Sequence, residues 1–391
     1  MNLEKYKTYI YSDHPVPRHR IKFNGKDNLH FEKRQVDSYG KPFNLIVSER
    51  EAGKSTTRTN LYSLNFQHEG TWIALRRQIA DCTETYISDI EKILNKFSYV
   101  PVRLLYKTSD IKNGIIDVYA AEVEIGFDED GKQEEIFHNK RLFFRVLGMS
   151  NPMSRIKSLM MPNLDGFVFD EYICNTALGE KYLTQEAFRF KEIFNTFQRE
   201  ARKPLKCYFF GNPYSVFNPF HTWLGIDTRK IRAGALIVGK NYVMQCYKIK
   251  PELKEQILKR NPLYEFDDAY RKYAFDGLAV NDLRIPILRE KPSGAFLAFV
   301  LRAEGTWLGV YRLPPNLEDR YAYLVDNIEW NKDYKRKVFC FDFNNMESNT
   351  LLIQKVLRDK LAYFKFAIAN NLVAYSRVDN SYLIEYIYNK L

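Results

Sequence analysis

Two apolar runs, each ending in a polar signature, constrain this chain more than anything else in it. The first, Phe43–Asn44–Leu45–Ile46–Val47, leads into Ser48–Glu49–Arg50–Glu51–Ala52–Gly53–Lys54–Ser55–Thr56. The second, Gly166–Phe167–Val168–Phe169, stops at Asp170–Glu171. A short continuous apolar run bounded by turn residues fits a strand buried on both faces, and such strands belong to parallel sheets covered by helices. In these sheets ligands gather beyond the carboxyl ends of the strands. Both polar signatures fall there.

The first signature matches the phosphate-loop pattern G-x-x-x-x-G-K-[ST] at Gly53, Lys54 and Ser55, with Ser48 where the first glycine is expected. In such a loop, here Ser48 to Thr56, successive backbone N–H groups cradle phosphate oxygens at the positive end of the following helix. Lys54 is expected to reach the β- and γ-phosphates and the Ser55 hydroxyl to bind Mg²⁺, with Arg50, Glu51, Ala52 and Thr56 completing the nucleotide-binding loop. A Gly-Lys-Ser tripeptide alone is common and reads equally as a strand–turn–helix with an exposed lysine. The second signature favours the site. Asp170 would hold Mg²⁺ through water and Glu171 would orient and deprotonate the attacking water, so two independent segments describe one Mg-ATP site. A third run, Leu205–Lys206–Cys207–Tyr208–Phe209–Phe210, ends at Gly211–Asn212–Pro213. Asn212 at that tip is a candidate γ-phosphate sensor, although the tripeptide is also strong turn chemistry.

Lys and Arg number 59 against 48 Asp and Glu, a formal charge of +11, which suits a polyanionic partner without proving one. No apolar run approaches a membrane span, and the first residues lack a signal-peptide core, so a cytosolic chain without membrane association is expected. The five cysteines show no C-x-x-C spacing and the six histidines no ligand cluster, which points to reduced thiols and no zinc.

The pattern along the chain predicts an α/β phosphate-loop ATPase domain with a mostly parallel central sheet over 1–248, a helical lid or linker over 249–285, and a small α+β unit over 286–391. Helices are expected from about Lys54 to Gln67, over 83–97 and over 184–202. A strand is expected from Thr71 to Arg77, and a β-hairpin over 115–147 turning at Asp128–Lys132. Val238 to Tyr247 reads as one strand, and 251–273 as a charged helix broken at Asn261–Pro262. Strands beginning near Ala295, Gly305 and Arg320 look antiparallel, followed by helical segments near 348–371. Residues 1–40 read as an irregular lead-in, with Tyr39 near the adenine.

The chain resembles the DNA-packaging motor ATPases of small protein-primed tailed phages, a branch of the ASCE phosphate-loop ATPases near the large terminases and the FtsK/HerA translocases. The resemblance rests on Ile46–Ser55, Ala74–Leu75–Arg76–Arg77, Val168–Phe169–Asp170–Glu171–Tyr172 and Gly211–Asn212–Pro213–Tyr214–Ser215–Val216–Phe217–Asn218–Pro219, and covers most of residues 40–225. It implies a homomeric ring, usually a pentamer, that drives double-stranded DNA through a portal into a procapsid in the host cytoplasm. It also implies active sites completed by the neighbouring subunit. The arginine finger then falls on Arg199, with Arg202 as runner-up, and a trans-acting lysine on Lys157. Arg50 fits a family position for an extra basic residue. The DNA-gripping lysine after Arg76–Arg77 has no clear counterpart, since Ile79 lies near its place.

The C-terminal unit resembles an RNase H-like domain in strand order only. Its first strand, Ala295 to Leu301, has no carboxylate to join Asp326 and Asp342 in a two-metal site, so a nuclease-dead domain is expected. The basic segment Lys332–Lys337 is a candidate contact for a packaging RNA or portal. A cellular double-stranded DNA translocase or helicase, a terminase with an active nuclease, and a nucleotide switch are the competing readings. The last lacks an N-K-x-D guanine motif.

Overall fold

The computed structural model describes residues 30–260 and 286–388, apart from residues 32, 67–69, 99, 128–129, 162, 176–177, 217, 228–229, 289, 304, 316–320, 330–336, 341–349, 353–360 and 371. The chain divides into two compact units, one of residues 1–214 with 230–278, the other of 215–229 with 279–391.

The first unit is built on β1 (Phe43–Ser48), whose six residues are all buried. A strand with no exposed face needs neighbours on both edges, and it has them: β7 (Lys206–Gly211) and β9 (Tyr242–Tyr247) both pair with it in parallel. The sheet has nine strands in the order β3-β4-β5-β2-β6-β7-β1-β9-β8. Its centre is parallel, from β5 (Gln133–Gly148) through β2 (Thr71–Arg76) and β6 (Leu164–Asp170) to β9. The antiparallel members lie at the margins: β3 (Val102–Leu105) and β4 (Ile115–Phe127) on one side, β8 (Leu236–Val238) on the other.

A short α1 (Arg34–Asp37) precedes β1, and α2 (Lys54–Phe66) begins at the lysine of the loop. Helix α3 (Glu84–Phe97) starts where the Thr83 side chain accepts a bond from the Tyr86 N–H, and it buries Tyr86, Ile87, Ile90 and Leu94 at helical spacing. The remaining helices of this unit are α4 (Thr108–Ile111), α5 (Met153–Lys157), α6 (Glu186–Gln198) and α8 (Pro251–Arg260).

The second unit contains α7 (Pro219–Leu224) and a six-stranded sheet, β14-β13-β10-β11-β12-β15. Strands β10 (Phe296–Ala303), β11 (Thr306–Arg312) and β12 (Tyr323–Asn327) form an antiparallel meander. Strands β13 (Val338–Cys340) and β14 (Thr350–Leu352) continue parallel to β10, as the RNase H-like strand order requires. Strand β15 (Val373–Tyr375) joins β12, and α9 (Ala362–Ala369) and α10 (Val378–Tyr388) complete the unit.

Two expectations are corrected. Val238 to Tyr247 is not one strand, because Gly239–Lys240–Asn241 turn the chain and β8 folds back antiparallel on β9. The stretch near 348–371 is not wholly helical. Thr350–Leu352 pairs with Val338–Cys340, a tertiary pairing that overrides local preference, and among the described residues of this stretch a helix spans Ala362–Ala369. Outside the described residues lie 1–29 of the lead-in, 261–285 of the lid, Asp128 and Glu129 of the hairpin turn, Lys332 to Arg336, and Asp342. All five cysteines are buried thiols, none of them in a disulfide. Among the described residues no helix is long and apolar enough to cross a membrane.

Candidate functional site

A cleft of about 340 Å³ opens at the carboxyl ends of β1, β6 and β7, with the loop from Arg50 to Thr56 on one side and Asp170, Glu171, Gly211 and Asn212 on the other. Sheet order explains the convergence. Strand β7 lies between β1 and β6, so Asn212 just beyond its tip stands between the loop and the carboxylates.

Ser48 closes β1 and is buried, and its backbone is not left-handed. A glycine is therefore not needed there. The left-handed positions of the loop are Glu51 (φ 60°) and Gly53 (φ 95°). Gly53 is required for a second reason: a Cβ there would sit 3.0 Å from the Cβ of His30, which with Phe31 covers the loop. The Phe31 N–H donates to the Ala52 carbonyl at 2.8 Å. The Glu51 carboxylate pairs with Arg260 of α8.

Lys54 is the hub. Its Nζ donates to the Ser48 carbonyl (2.8 Å), Ser48 Oγ (3.0 Å), the Glu49 carbonyl (2.7 Å) and Asn212 Oδ1 (2.9 Å). Burial lowers its pKa to about 8, against the opposing pull of Asp170 and Glu49. Burial likewise raises that of Glu49, whose carboxylate accepts from the Ile249 N–H at 3.2 Å. Asn212 donates its amide to the Tyr214 hydroxyl (3.1 Å), which also receives Arg50 (3.3 Å), so the sensor candidate is tied to both lysine and loop.

The carboxylates are held from the other side. Arg58, one turn past Lys54 on α2, pairs with Asp170, and Arg76, at the end of β2, donates to Glu171 Oε2 at 3.0 Å. Both guanidinium groups lie over the Tyr86 ring, 4.7 and 4.8 Å from its centroid. Glu171 has a left-handed backbone (φ 59°) and its side chain is 63% exposed. A second cavity, of about 470 Å³, lies against Arg58, Arg76, Tyr86 and the same two carboxylates. Sequence reasoning noted Arg76 only as part of a matching stretch and missed Arg58, Tyr86 and Tyr214. The one local signal was a basic residue four positions beyond Lys54, on the same face of α2.

Arg77, next to Arg76, has a different task. Its Nε makes two bonds to buried Glu186 (3.1 and 2.9 Å), and its other nitrogens reach the Glu171 and Tyr172 carbonyls. It braces the turn after β6 against α6.

Lys157 and Arg199 do not line this cleft. Lys157 ends α5 and meets Glu192 of α6 at 3.6 Å, with both side chains about half exposed. Arg199 caps α6, exposed, seven residues after Glu192. Seven residues are close to two helical turns, so Glu192 and Arg199 share a face about 10 Å apart, with Lys157 alongside. Arg202 is exposed in the following loop, and Lys203 beside it pairs with Asp165.

A parallel sheet with a phosphate-type loop after β1, a carboxylate pair after β6 and an additional strand between them defines an α/β phosphate-loop fold of the ASCE class. Solved structures agree. The chain is similar to the Phi-28 gp11 DNA packaging motor, with 15% identity over 92% of this chain and 97% of that one and a TM-score of 0.58. It is also similar to a chain of the bacteriophage Phi-29 viral genome packaging motor assembly, with 16% identity over 93% and 99% and a TM-score of 0.56. At these identities the likeness is one of fold, and the resemblance read from the sequence holds at that level. No protein-family model matches the chain, and no curated protein matches it.

Proposed function

We propose that this chain is the ATP-hydrolysing subunit of a motor that drives double-stranded DNA into a viral procapsid, working as a homomeric ring whose active sites are completed by a neighbouring copy. One observation carries the reading: Lys54, Ser55, Asp170, Glu171 and Asn212 meet in one cleft, while Lys157 and Arg199 share an exposed face outside it. The two similar structures, both named as packaging motors, support it.

In this reading the loop N–H groups and the start of α2 receive the phosphates. Lys54 exchanges its loop acceptors for β- and γ-phosphate oxygens. Ser55 and Asp170 supply the hard oxygen donors that Mg²⁺ takes. Asp170 fits because only one of its oxygens is engaged by Arg58. Bound Mg²⁺ would neutralise charge on the phosphates. Glu171 takes the proton of the attacking water, which requires its bond to Arg76 to open first. Asn212 reads the terminal phosphate beside Lys54. Arg199 and Lys157 of one copy then meet the charge developing on the phosphoryl group in the next.

DNA held through its phosphates is gripped without regard to sequence and loosened by salt, in keeping with the net charge of +11. Strand β10 carries no carboxylate to join a two-metal site, which supports a C-terminal unit that does not cut DNA; in this reading the unit docks on a portal or packaging RNA instead. The test is steady-state ATP hydrolysis against protein concentration, with and without double-stranded DNA. A cooperative rise that DNA strengthens is expected. A rate per chain indifferent to both concentration and DNA would leave an ATPase site and remove the motor.

A further inference from the structure

Tyr86 meets both of the arginines that hold the carboxylates of the cleft. Arg58 spends a terminal nitrogen on Asp170, and Arg76 spends one on Glu171. Both side chains are withdrawn from water, at 5% and 13% exposure. Among the described residues the buried Nε of each has no hydrogen-bonding partner. A buried N–H without an acceptor is costly, and an aromatic face is a weak substitute for one. The Tyr86 ring supplies that face, its centroid 4.7 Å from Arg58 and 4.8 Å from Arg76. The attraction of a guanidinium to a ring grows as water is excluded.

The ring is itself fixed at both ends. The Tyr86 backbone N–H donates to Thr83 Oγ1 at 3.2 Å. The Tyr86 hydroxyl lies 3.4 Å from that of Tyr62, which is fully buried and stacked on Phe144 of β5 with centroids 4.7 Å apart. The other positions that α3 buries are aliphatic: Ile87, Ile90 and Leu94. Packing of the helix therefore does not ask for an aromatic residue, whereas two guanidinium groups do. A carboxylate at this place would also attract them, but it would draw them from Asp170 and Glu171. A neutral π face holds the cations and leaves their terminal nitrogens free for the carboxylates.

Packing does not fix the arginines either. They border the cavity of about 470 Å³ that also reaches Asp170 and Glu171, so each has room to turn. We infer that Tyr86 is a positioning residue for hydrolysis. Its ring keeps Arg58 on Asp170, which presents that carboxylate to Mg²⁺ in one orientation, and it keeps Arg76 behind when Glu171 swings to the water. Without the ring, Arg76 follows Glu171 into the cavity and holds the base in an ion pair. The inference rests on the Mg-ATP site proposed above.

Replacing Tyr86 in the full chain by phenylalanine, and then by its mono-, di- and trifluoro forms, drains the π face at nearly constant size. Two quantities are read: affinity for a fluorescent ATP analogue across a Mg²⁺ titration, and steady-state hydrolysis at saturating Mg²⁺ with double-stranded DNA. The trifluoro form is expected to raise the Mg²⁺ half-saturation about ten-fold and to lower turnover about ten-fold, with the other forms between in order. Tyr86→Leu should lose at least as much, and Tyr86→Phe, which keeps the ring, should retain most of it. A flat fluorine series overturns the inference, because the ring then only packs. A loss in Tyr86→Phe equal to that in Tyr86→Leu moves the effect to the hydroxyl and overturns it too. In an Arg58→Lys background the trifluoro ring should add little to the Mg²⁺ half-saturation, and full additivity would mean that the ring does not act through Arg58. A wild-type chain whose nucleotide binding ignores Mg²⁺ removes the Mg-ATP reading and this inference together. Wild-type binding that needs Mg²⁺, with a flat series, removes this inference alone.

Discussion

Lys54 in the cleft makes four hydrogen bonds, and Arg58 and Arg76 beside it each hold a carboxylate. On the α5–α6 face, Arg199 is exposed, and Lys157 meets Glu192 at 3.6 Å. The difference separates two ways of using a cation. A side chain fixed by its own chain is positioned before substrate arrives. A long exposed side chain keeps about 2 kcal/mol of rotamer entropy and becomes ordered only where another surface receives it. The first suits chemistry within a subunit, the second chemistry between subunits.

Four experiments break or sharpen that contrast. Arg199→Ala is expected to lower turnover of the assembled protein about 10³-fold or more, the scale of a lost arginine finger. Mixed with wild type it should reduce activity more than in proportion, because it disables a neighbour. Strictly proportional loss would put Arg199 outside the chemistry. Glu171→Gln should cut turnover by about 10²- to 10⁴-fold while a fluorescent ATP analogue still binds. Lost affinity with residual hydrolysis would contradict the base.

Arg77 and Arg76 make the third test, read by urea unfolding. Arg77→Ala leaves buried Glu186 unpaired and should cost about 3–5 kcal/mol. Arg76→Ala releases a carboxylate that is 63% exposed and should cost about 1 kcal/mol or less. Equal costs would mean that Arg76 is a brace too. The smallest effect concerns pH. With its pKa lowered to about 8 by burial, Lys54 loses its charge as pH rises through that value. Nucleotide affinity should then fall by up to about ten-fold per pH unit, and binding above pH 8 should take up a proton, visible by calorimetry in buffers of different ionisation enthalpy. The sign for folding is opposite: from about pH 8 toward the ordinary lysine value the unfolded chain binds more protons, so this group adds stability as pH rises.

The loop, the carboxylate pair and the strand before Asn212 were legible in the sequence because each is a contiguous run whose order of apolar and polar residues is itself the signal. The hairpin was legible for the same reason. Arg76 and Arg77 were not separable, because what distinguishes them is Glu186, 109 residues beyond Arg77, and Glu171, 95 beyond Arg76. The pairing of Arg58 with Asp170 spans 112 residues and leaves almost no local trace. Strands β13, β14 and β15 have three residues each, too few for periodicity to speak, and are fixed by their partners. The association of 215–229 with the C-terminal unit is likewise a tertiary fact.

The insertion of β7 between β1 and β6 has a metric consequence. Neighbouring strands keep a spacing of about 4.8 Å that backbone hydrogen bonding dictates. Two such steps place the phosphate loop and the carboxylates about 10 Å apart, a width on the scale of a terminal phosphate with a cation and a water. Side chains decide what reaches across that gap, but its width is ruled by the backbone, and no substitution of a single residue resets it.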